Sequence, residues 1–394
     1  MTRRLYHEDP DRLEFDAAVV DHVAGPEPRA VILDQTAFYA ESGGQPWDTG
    51  RLGEARVTSV VELADGRVSH AVDRALPLGA VHGQVDAERR RDHSQQHHGQ
   101  HLLSRAFVET CAAATVSFHL GPETSTIDLD REVDAAAVRA AERLTNQVVW
   151  EGRPVSVRSV TRQEAAALGV SLPDAQERIR LIDVSGFDLQ ACGGTHPRST
   201  SEVGVVCVAG WERYKRGTRV RFVCGHRALA AAHAQRETLE ALSARLSAAP
   251  AALPEAARRL LAQREADGQR AKELLRMAVA GEARRLLEAG SGAPRIVSAV
   301  YDGWPPADLR QLAVAIVDQA PAVAVLATRA EKAHVVFARS SQLELDLGPV
   351  FRETLARLGG RGGGQGAVLQ GGADRVDGLE PALADAAARL RETR

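Results

Sequence analysis

The chain has 394 residues, enough for two or three domains, and its 44% apolar and 26% charged content is that of an ordinary water-soluble globular protein. No apolar run of ~20 residues is available to cross a bilayer and no secretory leader is recognisable, so a cytoplasmic protein is expected. A formal net charge of −3 excludes a global basic signature for nucleic acid, and any RNA contact has to come from local patches.

Residues 1 to 88 read as short strands. RLEFDAAVV, RAVILDQ, RVTSVVEL and RVSHAV are β-branched and partly alternating, and Asp65-Gly66 between the last two is a hairpin signal. A small β-barrel domain is predicted.

Residues 89 to 225 carry two short motifs rich in metal-binding side chains, His97-His98-Gly99-Gln100-His101 and Cys192-Gly193-Gly194-Thr195-His196. The first lies in RDHSQQHHGQHLLSRAFVET, where Leu102, Leu103 and Phe107 recur at helical spacing. Residues four apart share a helix face, so His97 and His101 can serve one ion together. His93 and His97 meet the same spacing, and His98 lies three before His101. The second motif cannot be regular helix. Gly193 and Gly194 cost helix stability but let the backbone wrap closely around an ion, and Pro197 blocks continuation. A set of histidines and one cysteine suits Zn2+. Four protein ligands make a closed tetrahedron, the arrangement of structural zinc, so catalysis would need a displaced ligand or an ion that orients the substrate.

Strands near 115–130, 179–184 and 203–208 and a long helix over 132–150 complete an α+β layout, with a sheet backing the ligand helix. Cys111, Cys192, Cys207 and Cys224 are too few for a disulfide scaffold. In a reducing compartment Cys192 is available as a thiolate, whereas Cys207 and Cys224 fall in apolar strand-like runs and read as small core residues. Two basic patches stand out. Arg89-Arg90-Arg91 precedes the ligand helix, and WERYKRGTRVR, Trp211 to Arg221, holds five basic and two aromatic residues within eleven positions. On a strand Arg219 and Arg221 share a face, suited to phosphate contact beside stacking aromatics. A solvated charged surface strand is the plainer alternative.

Residues 226 to 290 turn Ala-, Leu-, Arg- and Glu-rich with a break near Pro250 and Pro254, which predicts two long helices in an antiparallel hairpin. Ser291 to Pro294 reads as a linker. In 291 to 394, RIVSAVY, a helix over 307–318, AVAVLATRA and AHVVFARS give a β-α-β-β pattern, followed by a helix and then GGRGGGQGAVLQGG. Those glycines suit a phosphate or nucleic-acid backbone, but no Lys-Ser or Lys-Thr follows, so this is not a Walker A loop.

At four ordered places the chain resembles a known family. HHGQHLLS with CGGTH is similar to the metal signature of the editing domain shared by alanyl- and threonyl-tRNA synthetases. LDQTAFYAESGGQPWDTG, Leu33 to Gly50, resembles the glycine-rich motif of the N-terminal β domain in the AlaX-type alanyl-tRNA editing proteins. TVSFHLGPETSTIDLD, Thr115 to Asp130, resembles the strand pair after their zinc helix. Gly359 to Gly372 resembles the end of a DHH-associated C-terminal domain. The resemblance covers most of the chain and is to the long AlaX forms. It departs from the family at His98, a position often held by Thr, and at Gln100, where synthetase-embedded domains commonly carry Thr.

The resemblance implies that His97, His101, Cys192 and His196 hold Zn2+. It also implies hydrolysis of the ester joining serine or glycine to tRNA(Ala). A pocket built for alanine cannot fully reject one added hydroxyl, so a second, hydrolytic site is needed. Gln100 and Thr195 are then candidates for recognising the seryl hydroxyl or the carbonyl. Glu41 to Gln45 would close the pocket, with Gly43 and Gly44 letting the backbone approach the substrate. The helices and C-terminal domain would grip the tRNA body or form a homodimer. The chain starts directly in the β region with no aminoacylation module, so a trans-acting editor with no ATP requirement is expected. The rivals are a non-catalytic RNA-binding protein with a structural zinc, a small-molecule hydrolase, and an editor of another aminoacyl group.

Overall fold

A computed structural model describes residues 1–23, 30–170, 177–290, 292–364 and 366–392. Parts of three expected segments, Arg29 of the second strand, Ser291 of the linker and Gln365 of the glycine-rich stretch, lie outside the described residues. Two compact units result, Met1–Leu242 and Ser243–Arg394. Among the described residues no helix is long and apolar enough to cross a membrane.

The first unit opens with the expected barrel. Strands β1 (Glu14–Val23), β2 (Ala30–Leu33), β3 (Gly50–Leu52), β4 (Ala55–Glu62), β5 (Val68–Val72) and β6 (Gly79–Val85) close in the order β1-β2-β5-β4-β3-β6. Alternation sends Val68 and Val72 of β5 inward, and an irregularity between Val57 and Ser59 of β4 puts both Val57 and Val60 on the same inner side, against Phe15 and Phe38. Gly66 takes φ +80° in the turn before β5. Sequence reading missed β3, which is too short to alternate, and β6, whose Gly-Ala-Val-His-Gly run lacks a clean period.

From the barrel the chain passes into α1 (Ala87–Cys111), capped by Asp86, whose carboxylate accepts from the Glu88 and Arg89 backbone N–H groups. The helix lies on a four-stranded antiparallel sheet of β7 (Thr115–Leu120), β8 (Ser125–Leu129), β12 (Val206–Tyr214) and β13 (Gly217–Cys224), in the order β12-β13-β8-β7. It also packs along α2 (Ala135–Glu151). Leu102, Leu103, Ala106 and Phe107 of α1, fully buried, form the shared core with Ile127, Val148, Val220 and Phe222. A separate three-stranded sheet, β9 (Val155–Thr161), β10 (Arg178–Val184) and β11 (Asp188–Ala191), delivers the chain into Cys192. Trp211 to Arg221 is a hairpin joining β12 to β13 and not one strand. The long helix α3 (Gly225–Leu246) follows.

In the second unit α4 (Leu253–Ala289) precedes a sheet of β14 (Arg295–Asp302), β15 (Ala322–Arg329), β16 (Ala333–Arg339), β17 (Arg361–Gly363) and β18 (Val368–Ala373), ordered β14-β15-β16-β18-β17. Successive β15 residues face opposite ways. Ala322, Ala324 and Leu326 pack with α4 and α5 (Pro306–Gln319), while Val323, Val325 and Ala327 pack with α6 (Gly348–Arg357) and α7 (Leu379–Glu392). Part of the glycine-rich stretch has a packing explanation. A Cβ on Gly362 would lie 2.4 Å from Gly371 Cα on the neighbouring strand.

Candidate metal centre and cleft

Two elements position the ligands. Helix α1 presents His97 and His101 one above the other, their rings stacked with centroids 5.0 Å apart. The turn after β11 brings in Cys192 and His196. Cys192 donates its backbone N–H to Arg180 O at 3.0 Å, and Arg180 Nη1 donates to the carbonyls of Cys192 and Gly194 at 2.8 and 2.9 Å. Gly194 is required by close approach, because a Cβ there would lie 2.4 Å from the His97 ring.

One ligand atom from each of His97, His101, Cys192 and His196 falls within 4.8 Å of every other. His97 Nε2 is 3.1 Å from His101 Nε2 and 3.2 Å from Cys192 Sγ. Ligands of one tetrahedral zinc at about 2.0–2.3 Å would lie about 3.3–3.7 Å apart, so the donor atoms are close to metal-ready spacing. Burial, reinforced by neighbouring imidazoles, drives His97 and His196 well below the ordinary histidine range, and burial alone takes His101 to about 4. All three rings are therefore neutral at pH 7, the state in which imidazole ligates. Burial pushes the Cys192 thiol up in the absence of an ion, while the Gly194 N–H pointing at Sγ at 3.4 Å pulls the other way. The donor set fits a single divalent ion, and these four side chains can hold one. His93, the alternative in the helix register, does not join them, and its buried Nδ1 has no partner.

His97, His101 and Cys192 form the floor of a cleft of about 820 Å³. Its walls are α1 (Gln100, Ser104, Arg105), β7 (Thr115 to Phe118) and β11 (Asp188 to Ala191), and Gly43 and Gly44 form a lip. Gln100 Nε2 donates to Ser104 Oγ at 2.9 Å, Thr115 Oγ1 donates to the same oxygen at 2.7 Å, and Gln100 Oε1 is buried with no partner.

The remaining residues singled out in the sequence lie elsewhere. Thr195, wholly buried, is held by Gln45 and by Ser94 Oγ at 2.7 Å, and neither Thr195 nor Gln45 lines the cleft. Glu41 is exposed and faces a neighbouring recess with Trp47, His93 and His119. Arg219 forms a two-point pair with Asp128 at 2.6 and 2.8 Å and stacks 3.7 Å over the Tyr214 ring, while Arg221 pairs with Glu212 at 2.9 Å.

Asp188 was missed. Its carboxyl, held by Gln190 Nε2 at 2.8 Å, lines the cleft, and burial lifts it to about 6. The available signal was alternation, since residues 188, 190 and 192 share one face of the strand leading into the second motif.

Sequence comparisons accord with this architecture. Residues 12–89 match tRNA synthetases class II (A), residues 179–221 the threonyl and alanyl tRNA synthetase second additional domain, and residues 292–392 the DHHA1 domain. The alanine–tRNA ligase of Natronomonas pharaonis is 33% identical over 99% of this chain and 44% of its own length, so the chain spans less than half of that relative. The alanyl-tRNA editing protein AlaX-L of Pyrococcus horikoshii is 27% identical over 94% of both chains. The solved C-Ala domain of Aquifex aeolicus alanyl-tRNA synthetase aligns with 24% of this chain and 90% of that one at 26% identity and a TM-score of 0.24. The chain is thus similar over nearly its whole length to alanine–tRNA ligases and to the alanyl-tRNA editing protein AlaX-L, and carries the three matched domains in order.

Proposed function

We propose that the chain is a trans-acting editing hydrolase that removes serine, or glycine, from mischarged tRNA(Ala). The observation that carries this reading is the meeting of three metal-competent side chains, His97, His101 and Cys192, with the floor of an open cleft. A relative that shares 94% of its length with this chain is named as an alanyl-tRNA editing protein, which supports the same assignment.

In this reading His97, His101, Cys192 and His196 hold Zn2+. When bound, the ion would supply positive charge that orients the ester for attack. Gln100 supplies selectivity. Its amide is oriented by donation to Ser104, leaving Oε1 as an unsatisfied acceptor that a seryl hydroxyl fills and an alanyl methyl cannot. Gly43 and Gly44 leave the lip free of side chains. Gln45 and Thr195 act by holding the lip loop to the ligand turn, and Glu41 stands outside the reacting region. The hairpin at Trp211 to Arg221 contacts the tRNA backbone, with Arg219 and Arg221 as charged neighbours held in place by Asp128 and Glu212. We retain four functional segments, a barrel (1–88), an editing domain (89–225), a helical hairpin (226–290) and a DHH-associated domain (291–394). The last two grip the tRNA body or join two copies of the chain.

A second reading, a non-catalytic RNA-binding protein with a structural metal, is favoured by the burial of three of the four ligands, His97, His101 and His196, at 1–6% exposure. Comparing the intact protein with Cys192→Ala separates the two. Editing requires Ser-tRNA(Ala) hydrolysis that disappears with the bound metal, whereas no hydrolysis by the intact, metal-loaded protein supports the structural role.

A further inference from the structure

His98 is not one of the four converging ligands, yet it is completely buried beside them. It follows His97 on α1, about 100° further around the helix, so it approaches the cluster from another side. Its Nδ1 lies 3.0 Å from His196 Nδ1, with the two rings nearly perpendicular at 83°. Both Nε2 atoms are buried and have no hydrogen-bond partner.

Two neutral imidazoles can share an Nδ1–Nδ1 hydrogen bond in two ways. If His98 donates, His196 carries its own proton on Nε2, and no lone pair remains on that ring for an ion. If His196 donates, its Nε2 is a free lone pair and His98 must carry a proton on Nε2. Only the second arrangement is compatible with His196 as a ligand. We propose that His98 is a positioning residue for the metal centre, accepting a hydrogen bond from His196 Nδ1–H and so fixing His196 in the tautomer that presents Nε2 to the ion.

Such outer partners orient a ligating ring and raise its basicity. The orphaned Nε2–H of His98, enclosed without an acceptor, is the structural cost of this arrangement, and a side chain kept only for packing would not need it. The inference rests on the metal-binding reading given above.

The test uses the full chain with histidine-selective ¹⁵N labelling, loaded with zinc, and reads tautomers from long-range ¹H–¹⁵N spectra. His98 is expected as the Nε2–H tautomer and His196 as Nδ1–H with a metal-shifted Nε2. His98 observed as Nδ1–H overturns the proposal. In parallel, zinc affinity is measured against a chromophoric chelator for the wild type, His98→Asn and His98→Phe. Asparagine keeps an acceptor near Nδ1, so its affinity is expected to stay within about threefold, whereas phenylalanine keeps ring bulk without the acceptor and should lose about 10–100-fold. Equal affinity of wild type and His98→Phe overturns the role of His98 alone, and a wild type that binds no zinc overturns the metal reading with it. Should His98→Phe fail to fold, the wild-type tautomer spectrum decides.

Discussion

Gln45 and Thr195 close a two-bond ring. The Gln45 side chain donates through Nε2 to Thr195 Oγ1 at 2.8 Å and accepts through Oε1 from the Thr195 backbone N–H at 3.0 Å. Both residues are wholly buried, and 150 positions separate them. The ring fastens the glycine-rich loop of the barrel to the turn that carries Cys192 and His196, so two of the four candidate ligands and the lip of the cleft are tied together.

Replacing Gln45 by Ala strands the Thr195 N–H in a dry site. Because an unsatisfied buried donor costs ~1–3 kcal/mol, Gln45→Ala should lower stability by about 2 kcal/mol and weaken metal binding as the ligand turn loosens. Denaturant unfolding and chelator competition measure the two effects. Unchanged values in both would show that the ring is dispensable.

The buried pair of Arg90 and Asp48 locks the start of α1 to the barrel, with side chains 5% and 0% exposed. Arg90 also donates to the Pro10 and Ala37 carbonyls at 2.6 Å. Arg90→Ala removes the ion-pair partner of the buried Asp48 and leaves it the Tyr39 backbone N–H at 2.8 Å, a change of roughly 3–5 kcal/mol by analogy with other broken buried pairs. A loss under 1 kcal/mol in urea unfolding would mean that water reaches Asp48 and the pair is not truly buried.

Asp188 makes stability depend on pH in a definite direction. Its folded value, about 6, stands above the 3.8 of an unperturbed carboxyl, so between those values the folded state binds the proton more tightly. Stability contributed by this group is therefore largest below pH 3.8 and falls as pH rises towards 6. Above that the charged carboxylate is a penalty on the order of 1–3 kcal/mol, at 1.36 kcal/mol per unit and discounted for partial exposure. Asp188→Asn should be more stable than wild type at pH 7.5 and lose that advantage near pH 4, as thermal melts at the two pH values would show. A constant difference across the range would mean that Asp188 is not the titrating group.

Much of this architecture is legible in the residues. The helix α1 follows from Leu102, Leu103 and Phe107, although spacing alone leaves His93 with His97 open beside His97 with His101, and the ligand turn follows from adjacent glycines before His196. What escaped is what only tertiary structure decides. Thr195 and Gln45 look like pocket residues because they adjoin the motif and the glycine-rich loop, yet each satisfies the other. Arg219 and Arg221 read as free cations because Asp128 and Glu212 are remote in sequence or across a hairpin. Asp188 offered only its alternation with Cys192 as a signal, because its desolvation comes from the walls of the cleft.

The most direct test of the editing assignment is release of labelled amino acid from Ser-tRNA(Ala) and Ala-tRNA(Ala) in parallel, with and without a zinc chelator. The expected result is rapid loss of serine, little loss of alanine, and abolition of both by the chelator. Hydrolysis of neither substrate by zinc-loaded protein, or equal hydrolysis that survives metal removal, would contradict it.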